Sequence, residues 1–252
     1  MIDKAQLIEI SKLMGVRPWQ QEKHYIQHLI LNILSEEPLV FKGGTYLWLF
    51  HGLNRFSEDL DFTASDRLRE GLGRKVSNSL ELFGVGSQLK VISDNQVSYA
   101  FRINAKGPLN TTDKDLCRVY VEISRRELVL KKPMPQRLDY PAYSLPVKNM
   151  AGMDLEEAAA EKVRAILTRK KARDIFDLHY LVTKKGISFN ESLANKKLEY
   201  YKMTVDKELF RAKVDEKEAF YQSELRNEVF GDLPAYAGVK KRLSEWISSG
   251  VP

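Results

Sequence analysis

Apolar residues recur at helical spacing through residues 3–14 and 18–34, the second stretch opening on Pro18 and carrying Ile26, Leu29, Ile30 and Ile33, so two helices are expected to lead the chain. "PLVFKGG" then predicts a short strand ending in a glycine turn, and "TYLWLFHG" a short helix that Thr45 would cap and Gly52 would stop. Strand character resumes in "EDLDF", residues 66–82 are expected to be helical, and "LKVIS", "VSYAFRI" and "CRVYVEIS" alternate as strands of a mixed sheet. Four of the nine prolines, at 133, 135, 141 and 146, predict a domain connection without regular structure. Beyond it, residues 154–186 predict a strong helix starting at an Asp154 cap and ending near Gly186, and residues 190–247 continue in helical patterns. The expected class is α+β: a mixed sheet flanked by helices over residues 1–145, then a mainly helical region over 146–252.

Composition changes this picture little. The 252 residues are 43% hydrophobic, as in ordinary globular proteins, and the longest apolar runs, such as Tyr46–Phe50, fall far short of the roughly 18 residues a membrane helix needs. Asp3 and the lack of a signal-peptide pattern give the expectation of a cytoplasmic address. The single cysteine, Cys117, excludes an internal disulfide and falls in an apolar alternation, as a small core residue would. A net charge of +6 favours polyanionic partners, although a basic solvated face accounts for it equally well.

The candidate chemistry begins at Asp59 and Asp61. On a strand these two side chains share one face, while Glu58, Leu60 and Phe62 take the other. Two such carboxylates repel as a bare pair and become favourable around a divalent cation, for which hard oxygen donors suit Mg²⁺. Glu122, on the polar face of "CRVYVEIS", is the natural third acid, and three carboxylates can hold two Mg²⁺ ions, one activating a hydroxyl and one gripping a triphosphate. Gly43 and Gly44 would let backbone N–H groups approach phosphate, with the Thr45 hydroxyl as a further donor. Lys42 and Arg55 are either phosphate ligands or surface charges. Lys162, Arg169 and Arg173 fall on one helical stripe, with Lys162 the candidate to meet a leaving pyrophosphate, while Asp174 and Asp177 would orient these cations or satisfy surface charge. His24 and His28, four apart on one helix, read as packing. Asp-x-Asp also occurs in turns, calcium loops and sugar-nucleotide transferases, and Gly-Gly is commonly only a turn; their joint order carries the weight.

Gly44-Thr45, then thirteen residues, then Asp59-Leu60-Asp61-Phe62 resembles the signature of the DNA polymerase β type nucleotidyltransferases. Together "FKGGTYLWL", "RFSEDLDF", "VYVEIS" and "AEKVRAILTRKKARDIFDLHYL" resemble the AbiEii-type nucleotidyltransferases, toxins of type IV toxin–antitoxin pairs. The resemblance implies a nucleotidyltransferase core with a helical C-terminal region and transfer of a nucleotide from an NTP, with RNA and tRNA 3′ ends as acceptors and a cognate antitoxin as partner. It implies Mg²⁺, with Mn²⁺ as a substitute, at Asp59, Asp61 and Glu122. It places Gly43, Gly44 and Thr45 at the phosphates and matches Lys162, Arg173, Asp174 and Asp177 to a later family motif. Lys42, Arg55, Ser57 and Arg173 are further candidates at the nucleotide, and Lys162 and Asp174 join the three acids as catalytic candidates. Thr45 stands where that superfamily often has Ser, and Glu122 where it often has Asp. Two other classes fit the residues alone: a noncatalytic nucleotide or nucleic-acid binder, and a glycosyltransferase using Asp59-x-Asp61 to hold Mn²⁺.

Overall fold

The computed structural model describes residues 2–249. Its described residues divide into two compact units, one of residues 2–46, 58–129 and 133–152, the other of residues 47–57, 130–132 and 153–249.

The first unit carries a seven-stranded mixed sheet. Its helices are α1 (Lys4–Leu13), α2 (Pro18–Leu34), the opening turn of α3 (Gly43–His51) and α4 (Leu72–Leu82). Its strands are β1 (Leu39–Lys42), β2 (Leu60–Ala64), β3 (Ser87–Asp94), β4 (Ser98–Ala105), β5 (Cys117–Ser124), β6 (Met134–Leu138) and β7 (Lys148–Gly152), in the order β3-β4-β5-β2-β1-β7-β6. β2 runs parallel to β5 and β1 parallel to β7, while the other pairs are antiparallel. Phe41, Phe62, Phe101, Val119, Val121 and Ile123 supply the buried side of the sheet.

α2 is buried along nearly its whole length, so its polar side chains need partners. They find them: Gln27 donates to the Glu58 carbonyl at 2.9 Å, Asn32 to that of Pro146 at 2.8 Å, and Glu22 accepts from the Leu109 N–H at 2.6 Å. His24 and His28 pack among Tyr140 and Tyr143, and His24 Nδ1 is hydrogen-bonded to the Tyr143 hydroxyl at 2.6 Å. Burial, partly offset by a hydrogen bond to the His24 carbonyl, takes the pKa of His28 down to about 4, as expected of a packed histidine. Cys117 is buried too, and desolvation pushes its thiol up to about 12.

Three expectations fail here. The proline-rich stretch forms β6 and β7 because β6 is the sheet edge, where Pro135 removes no ladder bond from an inner strand. Residues 66–71 stay out of α4, which starts after Gly71 in the left-handed region at φ 72°. Thr45 does not cap α3; the helix begins two residues earlier, at Gly43.

The second unit is helical: α5 (Leu155–Thr168), α6 (Arg173–Lys184), α7 (Glu191–Leu198), α8 (Lys207–Glu216), α9 (Glu218–Leu225) and α10 (Tyr236–Ser248). Asp154, Asn190 and Asp206 cap α5, α7 and α8 by accepting first-turn N–H groups. Val163, Ile166, Leu178, Leu181, Phe210 and Leu243 form its core. The helix expected over 154–186 is two helices, because Arg169 is extended at φ −141° and ψ 158°. Among the described residues no helix is long and apolar enough to cross a membrane.

Candidate active site

Strand register brings the candidate residues of the sheet into one row. Lys42 on β1 lies opposite Asp61 on β2, and Asp61 lies opposite Glu122 on β5. Laterally paired residues present their side chains on the same face, so a cation and two carboxylates stand side by side across three adjacent strands. Asp59 directly precedes β2, two residues before Asp61. Burial first, then the negative charges of Glu122, Asp59 and Asp61, raise the pKa of the Tyr120 phenol, one repeat before Glu122.

The row is electrostatically strained. Desolvation first, then the negative charge of Asp61, raises the pKa of Glu122, against the opposing pull of Lys42 and Arg126. Lys42 is itself buried and paired with Glu127. Sequence reasoning passed over Glu127; it follows β5 by three residues, and only the folded sheet carries it back to β1.

Gly43 turns out to serve the carboxylates. Its φ is 79°, and a Cβ there would lie 2.4 Å from Asp61 Oδ2, so a side chain would collide with the acid. Thr45 is fully buried and its hydroxyl donates to the Asp59 carbonyl, so it fixes the backbone that carries the first acid and is not a spare phosphate donor. Gly44 lies in the first turn of α3, whose N–H groups have no acceptor within the helix.

The second unit holds the remaining candidates in a different state. Arg55 is 2% exposed and grips Asp177 with two hydrogen bonds, Nε to Oδ1 at 2.6 Å and Nη2 to Oδ2 at 2.8 Å, while Nη1 donates to the Phe56 carbonyl. Glu228 approaches the same guanidinium at 3.6 Å. Lys162 Nζ lies 2.6 Å from Asp177 and 3.0 Å from Asp174, and Arg169 closes on Asp174 at 2.7 and 2.8 Å. The sequence Glu228, Arg55, Asp177, Lys162, Asp174, Arg169 is thus one chain of alternating charge. Burial would raise the pKa of Asp177 and of Asp174, and the adjoining cations outweigh it and hold both acids below the usual carboxylate range.

This arrangement overturns the expected basic stripe. With the break at Arg169, Lys162 and Arg169 approach Asp174 from α5 and its end, while Arg173 opens α6. Arg55 is not a surface charge: it is buried, and Asp177 and the Phe56 carbonyl take three of its five N–H donors. Lys162 is held by two aspartates. Ser57 is buried in the same unit, and Arg173 is half-buried with no partner among the described residues.

Among the described residues, no three His, Cys, Asp or Glu side chains are arranged as a ready metal cage. The donor chemistry nonetheless fits Mg²⁺: the acids are hard oxygen donors, and the repulsion between Asp61 and Glu122 is what a divalent cation would relieve.

The family model described as "Nucleotidyl transferase AbiEii toxin, Type IV TA system" matches residues 25–242. Among solved structures, MenT4, a nucleotidyltransferase toxin from Mycobacterium tuberculosis H37Rv, is similar with a TM-score of 0.66 at 20% identity, over 98% of this chain and 89% of that one. JHP933 from Helicobacter pylori is similar with a TM-score of 0.61 at 21% identity, over 91% and 90%. At such identities the likeness concerns the fold. No curated protein sequence matches the chain significantly.

Proposed function

Because the chain belongs to the AbiEii nucleotidyltransferase toxin family of type IV toxin–antitoxin systems, we propose that it transfers a nucleotide from an NTP to a hydroxyl acceptor, the 3′ end of an RNA such as a tRNA, in a Mg²⁺-dependent reaction in the cytoplasm. Family membership already sets aside the noncatalytic and glycosyltransferase readings, and a cognate antitoxin is its natural partner. The observation that carries the proposal is the row Lys42, Asp61, Glu122 on three neighbouring strands, with Gly43 leaving room for the Asp61 carboxylate.

Asp61 and Glu122, with Asp59, would hold the metal, which when bound supplies positive charge against the developing charge on the transferred phosphoryl group and the leaving pyrophosphate. The residues of the chain do the rest. Thr45 holds the Asp59 backbone, so that the first acid enters the row at a fixed position. First-turn N–H groups at Gly43 and Gly44 face no intrahelical acceptor and are suited to triphosphate oxygens. Glu127 holds Lys42 beside Asp61, where its ammonium balances part of the carboxylate charge. Arg173 keeps its donors open for a phosphate, whereas Lys162 and Asp174 act through the ion chain that organises α5 and α6.

The test is incubation of the purified chain with Mg²⁺, each α-labelled NTP and total cellular RNA, beside Asp61→Asn. Label in a tRNA-sized band, lost in the variant and on chelation, is the expected result. Incorporation that survives Asp61→Asn would overturn the assignment of the site.

A further inference from the structure

A second polar site lies in the first unit. At the carboxyl ends of the parallel strands β2 and β5 opens a cavity of 780 Å³, walled by the loop that follows β2 and by Asp94, Tyr99 and Arg125. That loop contributes Arg67 and Arg69. Ala64 lies three residues beyond Asp61, and Arg125 three beyond Glu122, so the cavity begins about 10 Å along both strands from the carboxylate row.

The ground between is polar as well. Thr63 and Ser124 are register partners, one strand repeat beyond Asp61 and Glu122 and on the same face. Both are buried, and neither hydroxyl has a hydrogen-bond partner among the described residues. Buried hydroxyls are normally satisfied, so this pair leaves hydrogen-bonding capacity open beside the row.

Arg125 is built as a platform. Its guanidinium lies over the Tyr99 ring, 5.5 Å from the centroid, and Nη1 is fixed by Asp94 at 2.7 Å and by the Asn95 carbonyl at 2.5 Å. The Tyr99 ring is in turn held by the Gly73 N–H on its hydroxyl at 3.1 Å. Nε and Nη2 of Arg125 make no hydrogen bond among the described residues, and neither does the Arg67 side chain. Arg69 is 72% exposed and has only a loose pairing with Glu37 at 3.8 Å.

Three acids, Asp66, Glu70 and Asp94, also line the cavity and balance the three arginines in formal charge. A bare polyphosphate gains little from such a balanced wall. What the wall offers is planar donors on a fixed support, the chemistry that stacks unpaired bases and forks phosphodiester oxygens.

We propose that this cavity holds the unpaired nucleotides just upstream of the acceptor's 3′ end, a base stacking on Arg125 while Arg67 and Arg69 contact the strand's phosphates. The proposal rests on the RNA-acceptor reading above. It adds a docking site separate from the carboxylates, and explains how an acceptor without a template is aligned: the strand is gripped one step back from its reacting hydroxyl.

The test uses the full chain and a 5′-fluorescein single-stranded RNA of about 12 nucleotides, with affinity read by anisotropy across a salt series and Mg²⁺-NTP binding read in parallel. Arg125→Ala is expected to weaken RNA binding about tenfold, in line with the loss of one stacked base. Arg125→Lys, which keeps the charge and loses the plane, should fall nearly as far. The exposed double variant Arg67→Ala/Arg69→Ala should make the salt slope about 1.4 units shallower, at roughly 0.7 for each of two single-strand phosphate contacts. NTP affinity should stay within about twofold throughout, and unchanged melting shows that the variants fold. RNA affinity unchanged in all three variants would overturn the docking site while leaving the transfer reaction standing. Loss of NTP affinity with RNA binding intact would overturn it in favour of a free nucleotide. Wild-type protein that neither binds nor labels RNA would instead sink the RNA-acceptor reading, and this proposal with it.

Discussion

Two sets of charges in this protein follow opposite rules. Asp61 and Glu122 are like charges set side by side in strand register, where burial first and then Asp61 raise the pKa of Glu122, with Lys42 as the cation beside them. In the helical unit, Asp177 and Asp174 are deeply buried yet fully compensated, each between two cations. A closed ion network can be extensive and still do nothing but hold helices in place. The unrelieved pair is the one where the proposed metal would act, and burial by itself does not tell the two apart.

The largest effect that would separate them is on activity. Asp61→Asn should lower nucleotidyl transfer by about 10³-fold or more, as expected when a principal electrostatic group of the transition state is lost. Its chemical stability should be unchanged or slightly raised, since a repulsion goes with it; initial rates and urea midpoints on the same preparation read both. Asp177→Ala should do the reverse in order of cause: about 3–5 kcal/mol of stability lost, because Arg55 and Lys162 remain buried without their partner. An Asp177→Ala protein with a wild-type urea midpoint would break the contrast.

Gly43→Ala comes next. The added methyl group meets Asp61 Oδ2 and the residue keeps a positive φ, so about 1–2 kcal/mol of stability and roughly tenfold in rate should go together. A variant that loses stability alone would show that Asp61 tolerates displacement.

The smallest effect is in pH dependence, and its sign differs between the two regions. Asp177 has a depressed folded pKa, so its stabilisation is complete above the unfolded value near ~3.9 and is lost as pH falls through the folded one. Glu122 has a raised folded pKa, so its charged form costs stability above that pKa, and acidification removes the cost. At neutral pH Glu122→Gln should therefore gain a few tenths of a kcal/mol, screening by solvent keeping it small. The gain should vanish below about pH 4. Urea titrations from pH 3 to 7 would show the two trends crossing.

Much of the row was legible in the sequence because strand alternation is a period of two, and Asp61 and Glu122 obey it, while Asp59 directly precedes the strand. The partner strand of β2, and so the pairing of Asp61 with Glu122, was reachable only as a guess that the fold turns into a register. Gly43 read as a phosphate turn, and its contact with Asp61 could not be seen without the sheet. Lys162, Arg169 and Arg173 misled, because helical spacing projects a stripe only while the helix continues, and the break at Arg169 has no glycine or proline to announce it. Arg55 misled for another reason: a lone arginine in a polar run gives no hint of an aspartate 122 residues away. Long-range ion pairs leave no periodic trace.

The parallel pairing of β2 with β5 has a consequence in time. Asp61 and Glu122 come from strands separated by α4, β3 and β4, so the pair exists only after a long-range closure, which is slow compared with helix formation or a hairpin. A slip of one residue would send Glu122 through the sheet to the apolar side. On the proposed function, a newly made chain would be chemically silent until this pairing locks in its single correct register, and a toxin assembled in this way would become active only as its folding finishes.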